Sequence, residues 1–475
     1  MTGFLISFIL GFNYFVGFYY GIVNFVYSVL LTTSLIVILR HIKRIKYSPV
    51  KDFSYSPETP PVSILIPAYN EERIIVQTIK SALSLNYPFF DVIVINDGSL
   101  DKTLEILIMK FKLRKIDVVY RNILKTSPVR GFYYNPEIPN LIVIDKEKAG
   151  KADALNCGIN ASKNPYFCSV DADSLLERDA LLRLMAPVLE STIPVVAAGG
   201  VVRILNGTEI RENTVSEIKL PRSSLALFQI VEYLRAFLFG RVGWDTMNSI
   251  LILSGTFSLF NKAAVMAVGG YNVKHVSEDM ELVIKLHRYH IKNNKQYRIK
   301  FISDPICWSE VPEKLKMLGR QRRRWHLGLI QCIVEHKALM LNPKYGKLGL
   351  FIFPYYFFFE MLGPIVELLG YIIVPLSYIF GLLSYDYFLL FLILAIFYGV
   401  FLSTIGVFLE ELTYRRYPKW SHLFKLLLYG LFENFGYRQI NSFWRFQAII
   451  LYIFGKRKWE YVENKGIDYE KNSKR

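Results

Sequence analysis

The stretch VSILIPAYN, residues 62–70, decides the fold class. It is a short apolar run with β-branched members that ends in turn-forming residues, the pattern of a strand buried on both faces. Glu71-Glu72-Arg73 then opens a helical period running to about Leu85, with acids in the first turn where the helix dipole favours them. DVIVINDGS (91–99) repeats the strand and turn, and Asp101 onward repeats the helix. LIVIDKEKAGKADALNCGI (141–159) and YFCSVDADS (166–174) supply two further strand ends. Alternating strands and helices predict an α/β fold, a mostly parallel sheet with helices on both faces. Ligands of such sheets bind at the carboxyl ends of the strands. The clusters Tyr69-Asn70-Glu71, Asn96-Asp97-Gly98-Ser99 and Asp171-Ala172-Asp173 all fall at such ends, and together they mark one site.

Outside this middle region the composition changes. Of the 475 residues 52% are hydrophobic and 20% charged, a combination that requires the two kinds to be segregated. Residues 1–39 carry no charged side chain, and 348–414 carry no Lys or Arg. Runs of about 20 apolar residues suffice to span a bilayer, so both stretches qualify. The N-terminal stretch lacks a basic start and a small-residue cleavage site, so it reads as an anchor and not a cleaved signal. It fits one tilted helix over about 15–39 after an interfacial piece, or two tight spans. The expected organisation is one or more N-terminal spans (1–45), a catalytic domain (52–345), C-terminal transmembrane and interfacial helices (348–456) and a charged tail (457–475). Residues 348–411 have room for two or three spans, and 424–454 for one span or a span plus a surface helix.

The net charge of +17 invites a nucleic-acid reading, but no recognition motif accompanies it. Its placement points elsewhere. Arg40, Lys43, Arg44 and Lys46 follow the first apolar stretch, Arg415, Arg416 and Lys419 a later one, and Lys456, Arg457 and Lys458 the last. That is the positive-inside pattern, which predicts a multi-pass protein of the plasma membrane with its central domain in the cytoplasm. Cys157, Cys168, Cys307 and Cys332 have no metal-ligand spacing and read as reduced, structural thiols.

Several constellations carry chemistry. Asp171 and Asp173 flank a small residue after an apolar strand; in strand geometry residues i and i+2 point the same way, so both carboxylates reach one cation. Oxygen-only ligands suit Mg²⁺ or Mn²⁺ bound together with substrate phosphates; the plainer alternative is a pair of solvated acids. Gly150-Lys151 is not a phosphate loop, because Asp145 stands where its first Gly belongs and Ala152 where its Ser/Thr belongs. Lys148 and Lys151 either contact a phosphate or are solvated. Ser277-Glu278-Asp279 opens an amphipathic helix after the Gly-bearing segments SGTFSLF (254–260) and VGGY (268–271). A carboxylate there is placed to act as a general base, or simply satisfies the helix start. In Gln321-Arg322-Arg323-Arg324-Trp325, arginine forks suit a diphosphate and the Trp offers a face to a sugar ring. The competing reading is a basic patch against anionic lipid.

The ordered set PAYNEE, NDGS, KAGKADALN, DAD, SED, QRRRW resembles the processive family 2 glycosyltransferases, relatives of the cellulose, chitin, hyaluronan and poly-N-acetylglucosamine synthases. The resemblance covers about 62–325. It implies a GT-A nucleotide-sugar-binding fold inserted between transmembrane helices, and a divalent Mg²⁺ or Mn²⁺ cofactor. Carried over by residue, it implies that Ala68, Tyr69 and Glu71 line a uridine pocket, with Asp97 on the nucleoside and Lys151 close to the nucleotide. Asp171 and Asp173 would frame the metal, Asp279 would be the catalytic base, and Gln321, Arg324 and Trp325 would grip the diphosphate and acceptor sugar, with Glu278 also at the acceptor. Two departures stand out: Asn96 replaces the first acid of the family's DDG, and Ser277 the Thr of its TED. The implied function is inverting transfer from a nucleotide-diphosphate sugar, a UDP-sugar foremost, onto a growing β-linked polysaccharide, coupled to its translocation. The alternative is addition of one sugar to a lipid-linked acceptor. A transporter or scaffold with a degenerate nucleotide domain would have lost catalytic acids, yet Asp171, Asp173 and Asp279 are all present.

Overall fold

The computed structural model describes residues 2–47, 59–211, 214–417 and 419–456. The 457–475 tail, with Arg457 and Lys458, lies outside the described residues. The chain forms two compact units. Of the described residues, those in 2–39, 222–246 and 312–456 form one, and those in 40–221 and 247–311 form the other. Residues 312–345, and QRRRW with them, therefore belong to the unit that contains the apolar helices.

The second unit is built on a ten-stranded sheet. Its strands are β1 (Val62–Ala68), β2 (Phe90–Asp97), β3 (Arg114–Ile116), β4 (Val129–Tyr134), β5 (Leu141–Lys146), β6 (Tyr166–Val170), β7 (Ser174–Leu176), β8 (Val195–Ile204), β11 (Phe257–Asn261) and β12 (Arg298–Ser309), with β9 (Glu209–Arg211) and β10 (Thr214–Glu217) forming a separate ribbon. The order is β3-β4-β5-β2-β1-β6-β11-β8-β12-β7. The centre, β5-β2-β1-β6, is wholly parallel, as the alternating pattern predicts. β11 runs antiparallel between β6 and β8, and β3, β4 and β7 add antiparallel edges. Such strands read poorly in sequence because a short apolar run does not announce its direction. β1 is buried along almost its whole length, consistent with helices covering both faces. Pro67 is tolerated because β6 pairs with β1 only as far as Leu65, so the missing N–H removes no bond on that side.

The first helix of this unit begins later than its sequence period: it spans Ile75–Leu83, and Glu71 and Glu72 lie in the turn before it. Their backbone amides are already engaged, Glu71 N with Thr103 Oγ1 (2.9 Å) and Glu72 N with Asp101 Oδ2 (3.1 Å).

Residues Thr2–Tyr47, of which 2–39 belong to the other unit, form one continuous helix, not an interfacial piece plus a span or two tight spans. Its apolar part, Phe4–Arg40, has 37 residues; at 1.5 Å per residue that is roughly 55 Å, against a hydrocarbon core of about 30 Å. Among the described residues Tyr385–Thr413 is the other single helix long and apolar enough to cross a membrane. Leu348–Met361 and Gly363–Ile379 qualify together, bent by 44°. Trp420–Phe432 and Arg438–Ile453, 13 and 16 residues long, are separated by non-helical backbone at Phe435 and Gly436. The acids within the apolar sequence are partnered: Glu360 with Arg445 at 3.2 Å, and Glu367 by the hydroxyl of Ser442. All four cysteines are free and buried, as expected of structural thiols.

Candidate active site

The carboxyl ends of β1, β2, β5 and β6 bring the expected clusters onto one edge. Asn70 adopts a left-handed conformation (φ 58°), which Asn tolerates better than most residues. Its side chain then accepts from Leu100 N (2.8 Å) while its own N–H donates to Ser99 Oγ (3.0 Å). The AYN turn is thereby stitched to the NDGS turn. Gly98 (φ +64°) lies where a Cβ would come within 2.8 Å of Lys148 N, so a third loop packs against the same turn. Lys148 donates to the Tyr69 hydroxyl (2.6 Å), with its ammonium 3.9 Å from the ring centroid. Ala68 is buried at the end of β1.

The departure at Asn96 has a local reason. Asn96 pairs in register with Asp145 and donates its amide to that carboxylate at 2.7 Å. An acid at position 96 would set two buried carboxylates against each other, so an amide satisfies the pair where an acid would repel. Asp97 is turned toward its own chain, accepting from Lys146 Nζ and from the backbone amides of Ala149 and Gly150.

Asp171 and Asp173 follow β6, but they sit in the turn joining β6 to β7 and not in strand conformation. What holds them is loop bonding: Asp171 N donates to Thr256 O, Ser174 N to Asp171 O, and Thr78 Oγ1 to Ala172 O at 2.6 Å. Asp279 lies in the first turn of the helix Glu278–Lys292 and accepts Gly255 N on one oxygen (3.1 Å) and Met280 N on the other (2.8 Å). Lys151 sits among these acids, 2.5 Å from Asp171 Oδ1 and 3.4 Å from Glu278 Oε1. A Cβ on Gly255 would meet Lys151 Nζ at 3.1 Å and Asp279 Oδ2 at 3.2 Å. The absence of a side chain at 255 therefore lets the helix Glu278–Lys292 and Lys151 approach each other.

The electrostatics follow from crowding acids in a partly dry place. Burial first, then Asp173, Asp171, Asp101 and Glu310, push the Glu71 carboxyl up to about 8. Burial, with Asp171 and Glu310, raises Asp173 to about 7. Burial works against the charge of Lys151, but Asp171 and Glu278 outweigh it and hold the ammonium above the ordinary lysine value. Glu310, just past β12, belongs to this acid cluster, and no motif marks it. Among the described residues no set of three His, Cys, Asp or Glu side chains forms a complete metal cage. The crowded Asp171 and Asp173 nonetheless fit a hard divalent cation that draws its remaining oxygens from phosphate and water, the usual Mg²⁺ arrangement.

Gln321, Arg324 and Trp325 lie in the other unit, on the helix Leu315–Glu335. Spaced i, i+3, i+4, they share one helix face. Arg322 differs from its neighbours: it is buried, forks onto Glu232 with bonds of 2.8 and 2.7 Å, and stacks on Trp325. Arg323 bonds Gln447 (3.0 Å), while Arg324 is exposed. The three adjacent arginines thus have three different surroundings, which a run of identical letters does not disclose.

Comparison with known proteins agrees with this reading of the chain. Residues 166–403, about half of it, match the family model described as Glycosyl transferase family group 2, and residues 63–124 match Glycosyl transferase family 2. Among curated relatives, poly-β-1,6-N-acetyl-D-glucosamine synthase of Staphylococcus epidermidis is 30% identical over 292 residues, 61% of this chain and 59% of that protein. The enzyme of the same name from Staphylococcus aureus (strain COL) is 30% identical over 295 residues, 62% of this chain and 60% of its own length. Aligned residues therefore span about three fifths of these relatives. Among solved structures, a mannosyltransferase from Pyrobaculum calidifontis in complex with GDP-Man and Mn²⁺ aligns with a TM-score of 0.49 at 16% identity, covering 87% of this chain and 99% of that one. S. aureus TarS 1–349 in complex with UDP aligns at 0.40 and 14%, covering 86% and 95%. With its α/β sheet, its acid-lined strand ends and half its length matched to the family, the chain is a family 2 glycosyltransferase.

Proposed function

We propose that this enzyme transfers a sugar with inversion from a UDP-sugar onto a growing β-linked polysaccharide, which it passes across the membrane that its apolar helices span. The observation that carries the reading is the convergence of Asp279, Glu278, Lys151 and Asp171 beside Gly255 at the strand ends. The staphylococcal synthases aligned above supply the polymer class.

In this reading Asp279 removes the proton from an acceptor hydroxyl, whose oxygen attacks the anomeric carbon as the bond to the diphosphate breaks. Its two backbone hydrogen bonds fix the carboxylate, so no reorganisation is needed as the proton moves. Glu278, one residue earlier, orients the acceptor sugar and shares Lys151 with Asp171. Lys151 places a positive charge near the nucleotide. Ala68, Tyr69 and Glu71 line the uridine pocket, with Asp97 behind the loop on which the nucleoside rests. Gln321, Arg324 and Trp325 grip the diphosphate and the acceptor ring. Asp171 and Asp173 would hold Mg²⁺ or Mn²⁺, and when bound the ion supplies charge neutralisation for the leaving diphosphate.

The direct test incubates the detergent-purified protein with a panel of UDP- and GDP-sugars and Mn²⁺ and sizes the products. Long chains from one UDP-sugar support the proposal. A single added sugar would move the reading to a transferase acting on a lipid-linked acceptor, and no transfer from any donor would overturn it.

A further inference from the structure

One buried charge of the catalytic unit lies outside every motif role assigned above. Lys146, the last residue of β5, is completely buried, which lysine almost never is unless paired. Its ammonium donates to Asp97 Oδ1 (2.7 Å) and to the Glu147 carbonyl (2.6 Å), and lies 2.7 Å from Asp153 Oδ1. Three acceptors use its three hydrogens. Burial opposes its charge, but the carboxylates of Asp153 and Asp97 prevail and hold Lys146 above the ordinary lysine value. Asp97 in turn accepts Ala149 N (2.9 Å) and Gly150 N (2.7 Å), and Asp153 accepts Ser127 N (3.2 Å). One ammonium therefore ties together the end of β2, the end of β5 and the first turn of the helix Lys151–Ala161. Through Asp97 it also fixes the short loop 147–150 between the last two.

Stability alone is a poor explanation for this cluster. Replacing buried ion pairs by apolar side chains is often neutral or stabilising, because desolvation offsets the attraction. What the cluster does supply is position. The loop it fixes carries Lys148, whose ammonium covers the Tyr69 ring, and leads directly into Lys151 among the catalytic acids.

We propose that Lys146 is a positioning residue for donor binding: by orienting Asp97 and Asp153 it sets loop 147–150 so that Lys148 and Lys151 meet the nucleoside diphosphate. The inference rests on the reading that this edge takes a nucleotide sugar. It assigns most of the Asp97 carboxylate to the chain's own loop, leaving the nucleoside a surface that Asp97 shapes from behind.

The test compares the full-length, detergent-purified wild type with Lys146→Met and Asp153→Asn. UDP binding is measured by calorimetry, and KM and kcat with UDP-N-acetylglucosamine. Lys146→Met is expected to raise the UDP Kd and the donor KM by about tenfold, with a smaller change in kcat. Hydrogen exchange of the peptide covering 147–150 should accelerate in that variant. Asp153→Asn, which leaves the Lys146–Asp97 bond in place, should raise KM by about threefold. Wild-type UDP affinity and KM in Lys146→Met, with only a lower melting temperature, would overturn the proposal. If Lys146→Met does not fold, Asp153→Asn decides in the same way: a lower melting temperature with unchanged KM contradicts the positioning role. A wild type that binds no UDP overturns the nucleotide-sugar reading, and the inference with it.

Discussion

At the scale of single residues, the central assignment is Asp279. Its two oxygens are fixed by Gly255 N and Met280 N, and Asn would keep its size while removing the proton acceptor. Asp279→Asn should bind UDP nearly as well as the wild type but lose about three orders of magnitude in turnover, within the usual range for a general base. Calorimetry beside a radiolabelled-sugar assay separates the two effects, and appreciable residual transfer would contradict the assignment. Glu71 gives a pH prediction. Burial and neighbouring acids raise its carboxyl from 4.5 to about 8, so the folded protein keeps a proton that the unfolded chain has released. The sign follows: this contribution to stability is complete below the unfolded value and is lost as pH rises through the folded one. In EDTA the melting temperature should fall from about pH 5 to pH 8, and Glu71→Gln should flatten part of that slope. Equal slopes would contradict the burial of a protonated Glu71; Asp173, raised to about 7, accounts for the part that remains.

At the scale of elements, the turns do the assembling. Gly98 has a positive φ and no room for a Cβ beside Lys148 N. Gly98→Ala therefore combines backbone strain with displacement of loop 147–150. It should cost about 1–3 kcal/mol of stability and weaken donor binding, measurable by thermal unfolding and UDP titration. The parallel centre of the sheet and the strand-end position of the acids were legible because an apolar run closed by turn residues implies a buried strand, and such strands converge at one edge. Antiparallel β11 was not, since SGTFSLF carries no mark of direction. The DAD triplet gave the right location and the wrong local geometry: Asp171 to Asp173 form a turn because Thr256 and Thr78, distant in sequence, capture their backbone. The arginines of QRRRW could not be told apart in one dimension, since the partner that buries Arg322 is Glu232, 90 residues away. Lys146 was hidden for the same reason. A lysine closing an apolar strand looks like a solvated end until Asp97 and Asp153 are seen around it.

At the scale of the whole molecule, segregated composition carried the most information. The charge-free stretch lies within one long helix, Thr2–Tyr47, and among the described residues beyond 348 one further helix and one bent pair are long and apolar enough to cross a membrane. The 44° bend between Leu348–Met361 and Gly363–Ile379 was not legible, because hydropathy does not report a change in helix direction. The placement of basic residues predicts a cytoplasmic catalytic unit. Gln296 is exposed in that unit, and the four native cysteines are buried. Gln296→Cys in intact cells should react with a membrane-impermeant maleimide only after permeabilisation; labelling of intact cells would reverse the topology. The most direct test of the central claim, inverting transfer with Asp279 as base, is the stereochemistry of the newly formed bond. Proton NMR of the product made from an α-linked UDP-sugar should show a β-anomeric linkage, absent when Asp279→Asn replaces the wild type; an α linkage, or β product still made at the wild-type rate by that variant, would contradict it.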